Sequence, residues 1–301
     1  MDGPHGLAVT ASGFGLKGPR DWAFHGVSAD AEPGSLIAVE GPSGSGRTCL
    51  LLALTGRMRP TEGRAAVGGL ELPRRMAAVR RVSALAHVAG VTELDPALTV
   101  GEHLREQALL QRRFGDAPRR LLPRPRAVRA REERERVDTA LAAAGLDPES
   151  LPKGERTAVR DLERVEALRL SLALALLGRP RLLGVDDVDL KLPPAERVVV
   201  WDLLRSVAAA GTTVLAVCSE APRDAVTVRT GAGPHDEDQQ NDGEHGQDKH
   251  DDGEHGQDRH DDDKHNHDKH HHGEHDGHDG HDDDKHEEKE DADALAATGR
   301  S

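Results

Sequence analysis

At 301 residues the chain allows one or two domains, and its charge divides it: residues 1–232 carry 33 Lys and Arg against 29 Asp and Glu, whereas residues 233–301 carry 7 against 25. The body is therefore near neutral at +4, and the acidity belongs to the tail at −18. There is no apolar run near the roughly 20 residues of a membrane span, no signal-peptide pattern in MDGPHG, and no disulfide framework or CxxC site in two cysteines. A near-neutral body with few aromatics also argues against a nucleic-acid surface, and the chain reads as cytoplasmic.

Leu7, Val9, Phe24, Val27, Ala29 and Ala31, with polar residues between them, predict short strands over residues 7–31. The turn AEPGS follows, then the apolar run Leu36, Ile37, Ala38, Val39, the segment GPSGSGRT, and an apolar-rich stretch from Cys49 to Met58. That order is strand, glycine loop, helix. Glycines at positive φ turn backbone N–H groups inward, and the helix N-terminus adds partial positive charge, so the segment is built to cradle phosphates. The spacing is GxxxxG[KR][ST], and the candidate cofactor-binding residues are Gly41, Pro42, Ser43, Gly44, Ser45, Gly46, Arg47, Thr48 and Cys49. Arg47 stands where the motif expects lysine, and Thr48 keeps the hydroxyl that ligates Mg²⁺. Cys49 sits where a helix N-terminus can lower a thiol pKa, but is read as a small buried filler.

Arg59–Gly63 predicts a turn, Arg64–Leu70 a strand, and Arg74–Arg81 a short basic helix. From Leu98 to about Leu177 the pattern is helical, opening on Thr99 as N-cap with Glu102 completing a capping box. Ten arginines and four acids lie between Arg112 and Arg136, where Pro118, Pro123 and Pro125 prevent one continuous helix. We read this stretch as a solvated helical face with Arg/Glu pairs. The apolar run Leu170–Leu177 packs inside, and RPRLLGVDD, ending at Asp187, predicts a strand that finishes in two carboxylates. A strand-terminal aspartate is where P-loop proteins hold Mg²⁺, so Asp186 pairs with Thr48 as the metal ligands. Ala195–Ala210 predicts a helix, and Thr212–Cys218 a buried strand parallel to the one bearing Asp186.

With these residues in view, the chain resembles the ATP-binding subunit of ABC transporters over almost all of residues 7–232. GVSADAEPGSLIAVEGPSGSGRTCLLLALTG is similar to that family's entry into Walker A, PTEGRAAVGG to the segment after its first helix, and PALTVGEHL to the end of its Q-loop. ALLGRPRLLGVDD is similar to Walker B, and AGTTVLAVCSE to the strand before its switch histidine. The resemblance implies an α/β P-loop NTPase of ABC type: a mixed sheet with flanking helices and an inserted helical subdomain at about residues 98–168. It also implies Mg-ATP as cofactor, a separate membrane-spanning permease as partner, a second ATP-binding subunit completing the pair, and a place at the inner face of the cell membrane through that partner.

The family's hydrolytic residues are replaced. Aligned on PALTV, the Q-loop glutamine falls on Gly90; aligned on VRDL, the signature serine and glycines fall within Leu162, Glu163, Arg164, Val165 and Glu166. The general-base glutamate aligns with Asp187, one methylene shorter, and the switch histidine with Ser219. No clear counterpart exists for the adenine-stacking aromatic; Trp22 or Phe24 is the substitute. If each of four losses costs about tenfold, the barrier rises by about 5 to 6 kcal/mol, and turnover is weak or absent.

Fourteen of the 18 histidines lie beyond residue 232, in a tail too poor in large apolar residues to order itself, so residues 233–301 read as disordered. NDGEHGQDKH, residues 241–250, repeats as DDGEHGQDRH with eight positions matching. Neutral imidazoles suit Zn²⁺ or Ni²⁺, and His245, His250, His255 and His260 are the candidate tail ligands. An alternative function is a non-enzymatic regulator responsive to nucleotide and metal. A metal-insertion GTPase is disfavoured because residues 1–232 hold no asparagine and no Lys-x-Asp for guanine.

Overall fold

The computed structural model describes residues 5–114 and 125–231. The tail histidines and Pro118 and Pro123 lie outside the described residues. Two sheets carry the fold. Strands β1 (Val9–Lys17), β2 (Trp22–Ala31), β4 (Glu62–Val67) and β5 (Leu70–Leu72) form an antiparallel sheet in the order β2-β1-β4-β5. Strands β3 (Leu36–Glu40), β6 (Ser83–Ala86), β7 (Leu182–Val185), β8 (Thr213–Cys218) and β9 (Val226–Arg229) form a parallel sheet in the order β6-β7-β8-β3-β9.

The continuous apolar runs of β3, β7 and β8 are what a strand covered on both faces requires. Alternation sorts them into two cores. Ile37, Val39, Leu215 and Val217 face helix α1 (Arg47–Leu54) and the antiparallel sheet with its Phe14 and Phe24. Leu36, Ala38, Leu183, Val185, Val214 and Ala216 face the helices α3 (Val100–Phe114), α4 (Arg126–Ala143), α5 (Arg164–Leu176) and α6 (Pro194–Ala209). The expected parallel neighbour is present: β8 lies beside β7, with Val185 opposite Ala216.

The strands over residues 7–31 are long rather than short. β1 and β2 form one antiparallel pair whose register shifts at three places around Phe14 and Leu16, and those irregularities break the period-2 pattern that sequence reading relies on. The strand expected from Arg64 to Leu70 is a hairpin, turning at Gly68 (φ 57°) and Gly69 (φ 76°), a pair suited to a two-residue turn with both residues at positive φ. The basic helix is α2 (Met76–Val82). Strands β6 and β9 have no sequence counterpart in our reading, because four residues are too few for periodicity to show.

The expected capping box is formed: Glu102 Oε2 accepts from Thr99 N–H at 2.8 Å, and Thr99 Oγ1 from Glu102 N–H at 3.3 Å. Pro125 stands at the N-cap of α4, and Arg131 pairs with Glu135 at 2.8 Å on its exposed face. Between α4 and α5 the chain makes three short 3₁₀ turns in place of continuous helix. Among the described residues no helix is long and apolar enough to cross a membrane.

Leu215, fully buried on the central β8, anchors the core under α1. Leu215→Ala is expected to lower unfolding free energy by about 2–5 kcal/mol. Val198→Ala, on the exposed face of α6, should change it by less than about 0.5 kcal/mol, both read from urea denaturation.

Candidate nucleotide site

The loop between β3 and α1 is shaped by two glycines at positive φ, Gly44 at 84° and Gly46 at 82°. Gly46 is the N-cap of α1 and provides no side-chain cap, so the first N–H groups of that helix are open toward a ligand. A methyl group at Gly46 would collide with the backbone carbonyl of Ala23 on β2, whereas one at Gly44 would meet open space. The far side of the loop is pinned. Ser45 Oγ and Thr230 Oγ1 share a 2.7 Å hydrogen bond, and Gly41 packs so tightly on Thr230 that no side chain fits.

Thr48 Oγ1 donates to Asp186 Oδ2 at 2.8 Å, so the two expected metal ligands meet across β3 and β7. Asp186 is 4% exposed. Burial is the main force raising its carboxyl pKa above the ordinary range, the Thr48 hydrogen bond opposes it, and neighbouring Asp187 raises it further. A cation held between these oxygens would favour the charged form.

Arg47 does not stand free over the loop. Its Nη1 donates to the Cys218 carbonyl at the end of β8 at 2.6 Å, and Nη2 lies 3.8 Å from Asp187 Oδ1. The planar fork of a guanidinium, with separate Nη1 and Nη2 donors, suits this two-point attachment. Asp187 itself takes φ of 45° and is engaged by that arginine.

Ser219 is turned to a different partner. Its N–H donates to Asp189 Oδ2 at 2.8 Å and its Oγ lies 3.3 Å from Asp189 Oδ1, so the residue at the switch-histidine position anchors a turn. Asp189 is 4% exposed and also accepts from Glu220 N–H. Sequence reading missed it; the signal was a third aspartate in GVDDVD.

Cys49 is half-buried, and its thiol is pushed up by burial and by Asp186, the reverse of the lowering that a helix N-terminus could bring. Phe24 is 3% exposed and stacked at a tilt on Phe14, with ring centroids 5.7 Å apart, so it belongs to the core and not to a base-stacking surface. Trp22 is 37% exposed beneath the Lys17 ammonium.

Gly90 lies in an exposed turn, φ 69°, where its N–H donates to Glu93 Oε1. The side chain at the head of that loop is His87, half-buried directly after β6, and sequence alignment on PALTV passed over it. Glu163 and Arg164 open α5, where Glu163 N–H donates to Glu166 Oε2 at 2.8 Å. Among the described residues no three or more His, Cys, Asp or Glu side chains are grouped to hold a metal ion.

A glycine loop leading into an uncapped helix, facing an acid at the end of a parallel strand two places away, defines the P-loop class of α/β proteins. The sequence model of the ABC transporter family matches residues 24–189, and the chain belongs to that family. It is 33% identical over 203 residues to the energy-coupling factor transporter ATP-binding protein of Symbiobacterium thermophilum, covering 66% of this chain and 64% of that protein. It is 31% identical to the daunorubicin resistance ATP-binding protein of Streptomyces coeruleorubidus, covering 69% of this chain and 59% of that one. The chain thus spans about three fifths of the length of these curated relatives. Among solved structures, a subunit from Clostridium perfringens described as part of an ABC transporter complex superposes with a TM-score of 0.56 at 18% identity, covering 70% of this chain and 78% of that one. A nucleotide-free ATP-binding cassette from an ABC transporter gives 0.54 at 18% identity, covering 70% and 81%.

The two loop glycines separate conformational strain from collision. Gly44→Ala is expected to cost about 1–2 kcal/mol for positive φ alone. Gly46→Ala should cost at least about 2–3 kcal/mol because the Ala23 carbonyl must also move, a difference readable as a lower unfolding midpoint.

Proposed function

We propose that the chain is an ATP-binding subunit that holds Mg-ATP at Gly41–Cys49 and drives or regulates a separate membrane permease, with weak or absent hydrolysis. The observation that carries this is the 2.8 Å hydrogen bond between Thr48 and Asp186 beside an open helix N-terminus. A hydroxyl and a buried carboxylate are the hard oxygen donors that Mg²⁺ prefers, and the loop N–H groups suit phosphate oxygens. Bound Mg²⁺ supplies charge neutralisation at the phosphates.

Slow turnover follows from what the remaining residues do. A general base needs a carboxylate within reach of water; Asp187 is one methylene shorter than glutamate and has the Arg47 guanidinium 3.8 Å away. Ser219 is committed to Asp189, and Gly90 carries no side chain. The Arg47 attachment also supports the second reading, a regulator that senses nucleotide without consuming it. In either case residues 1–232 form the nucleotide-binding unit and residues 233–301 a separate acidic tail, with a second ATP-binding subunit supplying an intact signature sequence. The relative named as a transporter ATP-binding protein supports transport as the setting, and this reading adds docking at the inner face of a cell membrane through the permease.

The full chain is expected to bind ATP in a Mg²⁺-dependent manner, with Thr48→Ala weakening the Mg²⁺-dependent part by about tenfold. Turnover should lie near 10⁻³ s⁻¹, about four powers of ten below an ordinary enzyme. Phosphate release near 10 s⁻¹ on purified protein contradicts this reading.

The tail repeat supports weak multivalent binding of Zn²⁺ or Ni²⁺ through His245, His250, His255 and His260. Equilibrium dialysis of the full chain should find several weak sites for either ion, lost when these and the neighbouring tail histidines are changed to asparagine. A stoichiometry of zero at neutral pH removes the metal-responsive part of the second reading.

A further inference from the structure

The parallel sheet ends at one side on β9, an edge strand whose one neighbour in that sheet, among the described residues, is β3. Pairing sets Arg229 opposite Glu40, so Thr230 leaves β9 level with Gly41, the first residue of the phosphate loop. Sequence reading gave Thr230 no role. The structure lays it against the loop: a side chain at Gly41 would collide with the Thr230 hydroxyl and carbonyl. Gly231 follows at φ 104°, where an added methyl would crowd Ser45 and Pro42.

Thr230 is 4% exposed, so its hydroxyl is cut off from water and its protein partners decide its state. It has two. Thr230 Oγ1 lies 3.4 Å from the Glu40 carbonyl, which can only accept, and 2.7 Å from Ser45 Oγ. Both contacts are satisfied when Thr230 donates to Glu40 and Ser45 donates to Thr230. The Ser45 proton is then used within the protein, and Ser45 acts as a tether of the loop rather than as a donor to a ligand. Gly44 beside it has open space around its Cα.

A loop already held in its bound form loses less freedom when a ligand arrives. We propose that Thr230 is a positioning residue for the phosphate subsite: through the Ser45 hydroxyl it holds the loop ready for phosphates, so polyphosphate affinity is set in part from the end of β9. This rests on the nucleotide-binding reading above. Coupling between sites is reciprocal, so phosphate on the loop also steadies β9.

The test measures Mg-ATP and Mg-tripolyphosphate as competitors of a fluorescent nucleotide on the full chain. Thr230→Val keeps the branched shape without the hydroxyl and is expected to weaken both competitors about fivefold, the loss of one hydrogen bond. Ser45→Ala should weaken them by the same factor, and the double variant by no more than either single change. Thr230→Ser should restore the unaltered affinity, because the hydroxyl returns. Mg-ATP should also slow amide exchange of residues 226–231 in the unaltered chain, and Thr230→Val should lose that slowing. A lower unfolding midpoint in Thr230→Val with both affinities unchanged overturns the assignment, as do losses that multiply in the double variant. Tighter binding in Thr230→Val also overturns it, since a released Ser45 would then be reaching the phosphate itself. Should Thr230→Val fail to fold, Ser45→Ala decides, and unchanged affinity there counts against the proposal. If the unaltered chain binds no fluorescent nucleotide, the reading of the site itself fails, and this inference falls with it.

Discussion

The hydrogen bond from Thr48 to Asp186 constrains everything around it. It requires the first turn of α1 and the end of β7 to arrive at one level, although β8 lies between β7 and β3 in the sheet. In-register parallel pairing achieves this: Val39 is opposite Val217, and Val185 opposite Ala216, so all three strands finish within a residue or so of one another. A charged acceptor makes this one of the stronger hydrogen bonds in the body, about 1.5–3 kcal/mol, and it partly offsets the cost of burying Asp186.

Arginine at position 47 changes how the crevice is finished. A lysine ammonium is a mobile point charge, whereas a guanidinium is a flat fork that can hold two acceptors at once. Here it takes the Cys218 carbonyl and approaches Asp187, tying the ends of β7 and β8 to the base of α1. That arrangement links three elements at the floor of the site and sets the guanidinium beside the Asp187 carboxylate. Thr48 and Asp186 are thus hydrogen-bonded to each other, whereas Asp187 and Ser219 have their partners outside that pair, in Arg47 and Asp189.

The antiparallel sheet matters to the site through one close approach. The Ala23 carbonyl lies against Gly46, so β2 sets the path of the loop from behind, as Thr230 does through Ser45 in front. These two long-range contacts hold an eight-residue loop that contains two left-handed glycines, Gly44 and Gly46.

Much of this was legible in the chain. Local patterns determined the P-loop between a strand and a helix, the capping box at Thr99 and Glu102, the apolar runs of β3, β7 and β8, and the pairing of Thr48 with Asp186, because each is carried by spacing within a short window or by a motif with one chemical purpose. The tertiary structure alone decided which polar groups are free. Ser219 goes to Asp189, Arg47 to the Cys218 carbonyl, Phe24 into the core, and His87 rather than Gly90 to the strand end beside Asp186. Each of these choices depends on strand order and register between segments distant in sequence, and a side chain's partner follows from that register rather than from its neighbours along the chain.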